Sequence, residues 1–164
     1  MKITLRNYSA NDLEEILAIT NFYIRTTAAL YDYAPRTIEF QENFFAEKLQ
    51  KGFPIIVAIY EEKVVGFGYF GEFRMREAYK YTVEHSIYVH QEHTHNGIGK
   101  QLLEELIHLA KAKNLHSMIG VIDSENKSSI DFHEQFGFKI VGVIPEVAFK
   151  FDRWLNCVLV QKHL

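Results

Sequence analysis

Val89-His-Gln-Glu-His-Thr-His-Asn-Gly-Ile-Gly-Lys100 runs out of one periodic segment and into another. Upstream, residues 81–89 alternate as a strand does: Val83, His85, Ile87 and Val89 share one side, and Thr82, Glu84, Ser86 and Tyr88 the other. Downstream, Ile98, Leu102, Leu103, Leu106, Leu109 and Ala110 form one apolar stripe of a helix over 97–113. The quoted stretch is therefore a strand-to-helix turn with Gly97 and Gly99 at the helix start. Backbone N–H groups are unpaired there and aligned with the helix dipole, and glycine lets an anion approach them closely. Phosphate is one reading; a plain turn also uses glycine. His90-x2-His93-x-His95 offers metal ligands as a third, but no cysteine, aspartate or second cluster accompanies them, so no metal is expected.

Working outward, residues 2–6 alternate as a short strand. Ser9-Ala-Asn-Asp12 reads as a capping box ahead of a helical stripe of Leu13, Ile16, Leu17, Thr20 and Ile24. The segment 31–35 breaks that helix, and Thr37 caps a second one ending near Gly52. Strands at 55–60 and 63–71 are joined by Glu61-Glu62 in a tight hairpin, although these are not the favoured Asn-Gly residues. After the long helix come a strand at 116–122, a short helix at 126–136 stopped by Gly137, and two strands at about 138–149 and 152–161. A helix pair, a meander and then strand-helix units make the class α/β (α+β), with a mixed central sheet.

Bulk properties exclude several functions. The 164 residues predict a single domain, 1–164, and 48% apolar content predicts a packed core. A net charge of −3 gives no basic excess for nucleic acid. The longest apolar run, Phe53–Tyr60, is far short of the roughly 20 residues of a membrane helix. The start turns polar too early for a signal peptide, and the lone Cys157 cannot form an internal disulfide. A soluble cytoplasmic protein is expected.

The glycine turn lacks the Gly-x4-Gly-Lys-Ser/Thr of a Walker loop and the third glycine of a dinucleotide fingerprint. It resembles the coenzyme A pyrophosphate loop of the GNAT N-acetyltransferases, Arg/Gln-x-x-Gly-x-Gly/Ala. The resemblance covers essentially the whole chain and is closest to the phosphinothricin/methionine-sulfoximine acetyltransferase branch. It rests on Thr26-Thr-Ala-Ala29, Gly52-Phe-Pro54, Phe70-Gly-Glu-Phe-Arg74, Tyr81-Thr-Val-Glu-His-Ser-Ile-Tyr-Val-His90, Asn126, Phe132-His133, Gly137-Phe138 and Lys150-Phe-Asp-Arg-Trp-Leu155. The sequence departs from the family at Thr94, where a basic residue or glutamine is usual, at His95 and Asn96, and at Asp152, where the tail has glycine.

The resemblance implies a GNAT fold of about seven strands and four helices, acetyl-CoA as co-substrate, no metal, and a homodimer to which 150–155 contributes. Pyrophosphate would lie on the backbone of His95, Asn96, Gly97, Ile98, Gly99 and Lys100. Pantetheine would pair with Ile87, Tyr88 and Val89. Asn126 resembles a coenzyme-contacting asparagine, although its place also suits a helix N-cap.

Glu84 aligns with the family's general base; alternation alone is equally compatible with a partly exposed strand face. His133 shares a helical stripe with Asn126 and Ile130, which pattern alone reads as a core histidine. Most of the family has tyrosine there to protonate the departing thiolate, and histidine typifies this branch. Arg74, Met75 and Arg76, together with Glu84, His85 and Ser86, fall where the branch contacts its acceptor; exposed loop arginines otherwise serve solubility. The implied function is acetyl transfer to the amino group of a small amino acid analogue such as phosphinothricin, methionine sulfoximine or methionine sulfone. Another amine (a protein N-terminus or a polyamine) and a non-catalytic coenzyme A sensor are the alternatives.

Overall fold

The first strand, β1 (Thr4–Asn7), leads into a turn that fixes the start of α1 (Leu13–Thr26). Asp12 there accepts two hydrogen bonds of 2.7 Å from the Arg6 guanidinium and one from the Ser9 backbone N–H. The capping box thus forms around a single 3₁₀ turn, Ala10–Asp12, that leads directly into the helix. Leu13, Ile16, Thr20 and Ile24 are buried as the periodicity requires; Ile19 joins them, while Leu17 is only half-buried. Thr37 caps α2 (Ile38–Gln50) by accepting from the Phe40 N–H.

β2 (Ile55–Tyr60) and β3 (Lys63–Glu72) follow. Glu61 and Glu62 turn between them at φ of 47° and 64°, the left-handed pair that a two-residue hairpin needs. β4 (Thr82–Val89), α3 (Ile98–Ala112), β5 (Ser117–Asp123), α4 (Lys127–Gln135), β6 (Lys139–Lys150) and β7 (Arg153–His163) complete the computed structural model, which describes residues 1–164. These bounds lie within two residues of those expected from pattern.

The sheet has seven strands in the order β1-β2-β3-β4-β5-β7-β6. Every pairing is antiparallel except β4 with β5, which α3 connects. Each face carries its own apolar core. Val83, Leu102, Leu106, Met118 and Phe138 meet on the α3 face, and Ile16, Phe45, Phe67, Tyr69 and Tyr88 on the α1–α2 face. No helix is long and apolar enough to cross a membrane.

The β6–β7 hairpin turns at Phe151 and Asp152, whose φ values of 53° and 55° make the glycine-to-aspartate departure a strained but tolerable one. Lys150 points inward. Its ammonium is buried and donates to the carbonyls of Ile24, Thr27 and Leu30 at 2.8, 2.9 and 2.6 Å, tying the end of α1 and the following loop to the hairpin. Leu155 is also buried, so Phe151 and Trp154 are the apolar side chains that this segment offers to solvent.

Candidate active site

Pairing between β4 and β5 stops at Glu84–Ile119, and the two strands diverge beyond it. The register with β3 decides what this exposes. The His90 N–H donates to the Val65 carbonyl, so even-numbered residues of β4 bond to β3 and odd-numbered ones turn toward β5. Ile87 and Val89 therefore direct backbone groups into the gap, where the Val89 carbonyl accepts from the Tyr23 hydroxyl at 2.7 Å. The gap is a cavity of about 530 Å³ bounded by the ends of β4 and β5, the glycine turn and α4.

The glycine turn forms one end of this cleft. Gly97 is the N-cap of α3 at φ 74°, and His95 precedes it at φ 63°. The Gln101 N–H bonds to the Gly97 carbonyl, which leaves the first-turn N–H groups of Ile98, Gly99 and Lys100 without helical partners. Nothing stands within 4 Å of where a Gly97 Cβ would be, so backbone angle, and not crowding, demands glycine there. Asn126 lines the cleft and also caps α4, its Oδ1 accepting from the Ser129 N–H and the Ser128 hydroxyl. That leaves its amide N–H groups for a ligand. His90 spends Nδ1 on the Glu92 N–H, and no three metal-ligating side chains converge anywhere in the chain.

Divergent parallel strands with a glycine turn between one of them and a helix suit a long ligand that is part peptide-like and part diphosphate. A model of the acetyltransferase (GNAT) family matches residues 12–138. The chain belongs to that family. It is 37% identical, over its full length and 96% of the relative's, to an L-methionine sulfoximine/L-methionine sulfone acetyltransferase of Pseudomonas paraeruginosa. A Sinorhizobium meliloti phosphinothricin acetyltransferase in complex with acetyl-CoA superposes with a TM-score of 0.97 at 36% identity, over 100% of this chain and 89% of that one. A ribosomal-protein-alanine N-acetyltransferase of Brucella melitensis gives 0.97 at 34% identity, over 98% and 99%.

In this acetyltransferase the candidate catalytic side chains lie on opposite faces of the sheet. Glu84 sits on the α1–α2 face, at the last residue of β4 that pairs with β5. Burial raises its pKa, and the nearby cations of Lys48 and Arg74 act against that rise. Lys48, which the sequence reading missed, lies over the rings of Phe44 and Tyr69 at 4.6 and 4.8 Å, and burial lowers its pKa. The i,i+4 spacing of Phe44 and Lys48 was the available signal. Arg74, Met75 and Arg76 are all exposed, with the Arg74 guanidinium over Phe73.

His133 faces the other way, into the cleft from α4. Its Nδ1 donates to the Ser129 carbonyl at 2.6 Å, and its Nε2 lies 2.9 Å from Nε2 of His85. Burial lowers the pKa of both rings, that of His85 to about 3. His85 is thus a buried partner of His133, on the opposite face from Ser86, which is the β4 neighbour of Tyr69. Two further contacts that the sequence did not signal close the cleft: Tyr23 on Val89, and the Tyr31 hydroxyl on Asp123 at 3.2 Å.

Proposed function

We propose that this enzyme, a single acetyltransferase domain, transfers acetyl from acetyl-CoA to the amino group of a small amino acid analogue of the phosphinothricin, methionine sulfoximine or methionine sulfone type. The observation that carries this reading is the carboxylate of Glu84 at the vertex where the parallel strands part, with cations beside it. The coenzyme's pantetheine extends β4 along Ile87–Val89 as an added strand, and its diphosphate lies on the N–H groups of residues 95–100. Asn126 contacts the same ligand.

An α-ammonium group is protonated at neutral pH and has no lone pair for attack. Glu84 takes its proton, directly or through one water. The amine nitrogen forms a bond to the thioester carbonyl carbon, and free strand N–H groups stabilise the resulting oxyanion. The C–S bond then breaks, and His133 returns a proton to sulfur. Holding amine and thioester together supplies much of the acceleration.

Lys48 and Arg74 beside Glu84 favour an acceptor that carries its own anionic group and disfavour a polyamine. A protein N-terminus is the second reading, supported by the likeness to the ribosomal-protein-alanine enzyme. Release of free thiol from acetyl-CoA across a panel of amines separates these. The expected order is amino acid analogues first, peptides with N-terminal alanine well below, and polyamines last. No release with any amine leaves a coenzyme sensor. In the same assay Arg74→Ala raises KM for acidic analogues several-fold and leaves KM for acetyl-CoA unchanged; equal effects on both would make Arg74 structural.

The enzyme acts as a cytoplasmic homodimer in this reading. The buried free thiol of Cys157 is consistent with a reducing compartment. β6 is an edge strand with Val141, Val143, Val147 and Phe149 exposed, and Trp154 beside it is 60% exposed. Such an apolar edge is what a second copy would cover. Sedimentation equilibrium should give twice the chain mass, with Trp154→Glu shifting it toward one; a monomeric parent protein would rule the dimer out.

A further inference from the structure

His85 and His133 meet at their ring tips, and the count of hydrogens between them does not close for two neutral rings. Nδ1 of His85 lies 3.0 Å from the Ile119 carbonyl, and Nδ1 of His133 lies 2.6 Å from the Ser129 carbonyl. A carbonyl oxygen only accepts, so each Nδ1 must carry a hydrogen. The two Nε2 atoms are 2.9 Å apart, a separation that needs a third hydrogen on the line between them. Two neutral imidazoles carry only two. One contact then sets lone pair against lone pair, whereas three hydrogens and one positive charge satisfy all three contacts.

The fold makes room for this pair. A Cβ on Gly120 would stand 2.8 Å from Val160 Cγ2, 3.1 Å from His85 Cε1 and 3.6 Å from His133 Nε2, so glycine at 120 is what lets both rings reach the cleft wall. Phe132 and Phe138 enclose them. No carboxylate neutralises the pair. Glu84 of β4 is on the opposite sheet face, Asp123 of β5 is bound by Tyr31 and the Glu125 N–H, and Asp131 and Glu134 lie on the exposed side of α4. Lys162 of β7 is held by the Phe136 carbonyl.

We propose that His85 and His133 bind one proton between them and act as a single acid, His133 delivering it to the departing thiolate and His85 serving as a positioning residue. This rests on the reading of His133 as the acid. When the C–S bond breaks, its electron pair stays on sulfur, and the shared proton moves there from between the Nε2 atoms. The pair is then neutral and repulsive, and regains a proton from solvent. Burial, which lowers the proton affinity of both rings, makes the charged pair a ready donor.

Long-range ¹H–¹⁵N spectra of the full-length protein test the count directly. Both Nδ1 atoms should remain protonated while both rings respond together, at one midpoint, to uptake of one proton. Two separate midpoints, an unprotonated Nδ1, or no uptake above acid unfolding would overturn the proposal. Kinetically, His85→Phe keeps a ring but cannot share a proton. It should lower kcat about fivefold, part of a general acid's contribution, with KM for acetyl-CoA unchanged. The loss should shrink with an acetyl thioester of a more acidic thiol. Full activity in His85→Phe beside a defective His133→Asn removes the pairing alone. Full activity in His133→Asn removes the acid role and the pairing with it.

Discussion

Glu84→Gln is expected to lower kcat/KM by roughly 10²–10⁴, the usual contribution of a positioned base, with acetyl-CoA affinity little changed. Glutamine keeps the size and hydrogen bonding of the side chain and loses only its basicity. Burial raises the Glu84 pKa, so the base is ionised only above the ordinary carboxylate range of about 4.3. In the wild-type enzyme kcat/KM should therefore fall as pH drops through that raised value, and the Gln variant should lack this acidic limb. The defect should also shrink for an acceptor amine of low pKa, which arrives already deprotonated. The measurement is kcat/KM against pH with two acceptors of different amine pKa, for wild type, Glu84→Gln and His133→Asn. An acidic limb that survives in Glu84→Gln and vanishes in His133→Asn would reverse the two roles.

Gly97→Val should weaken acetyl-CoA binding at least about tenfold, or 1.4 kcal/mol. Two effects combine. A β-branched residue resists the φ of 74° that the N-cap of α3 adopts, and its side chain would enter the open space proposed for the diphosphate beside the helix N–H groups. Gly97→Asn separates them, because asparagine tolerates left-handed backbone yet still fills that space. Titration calorimetry should place Asn between glycine and valine. Unchanged affinity in a folded Gly97→Val protein would eliminate this turn as the phosphate seat.

Residue pattern exposed most of the architecture because the two periods are clean. The alternation of 82–89 placed Val83 and Glu84 on the faces they occupy, and the stripe on α3 named the side chains that pack on the sheet. What pattern does not encode is where a pairing stops. The parting of β4 from β5 beyond Glu84 depends on contacts of residues far apart in sequence, and the cleft exists only because of it. The same limit hid the meeting of His85 with His133, 48 residues away. Alternation gave the correct face for His85, but a strand face does not reveal its partner. The burial of Lys150 is hidden from pattern for a related reason. A lysine in a hairpin of aromatic residues looks like surface, and only the fold brings three carbonyls to it.

Along β4 the alternation sets two environments back to back. Odd-numbered side chains there meet α3 and α4 beside the cleft, and even-numbered ones meet α1 and α2 around Glu84. One strand thus divides two environments, although Ser86 and Tyr88 of the α1–α2 side also reach the cleft. Substitutions at Lys48 or in the Arg74 loop, which do not line that cleft, should therefore change the surroundings of Glu84 and leave the cleft's shape intact.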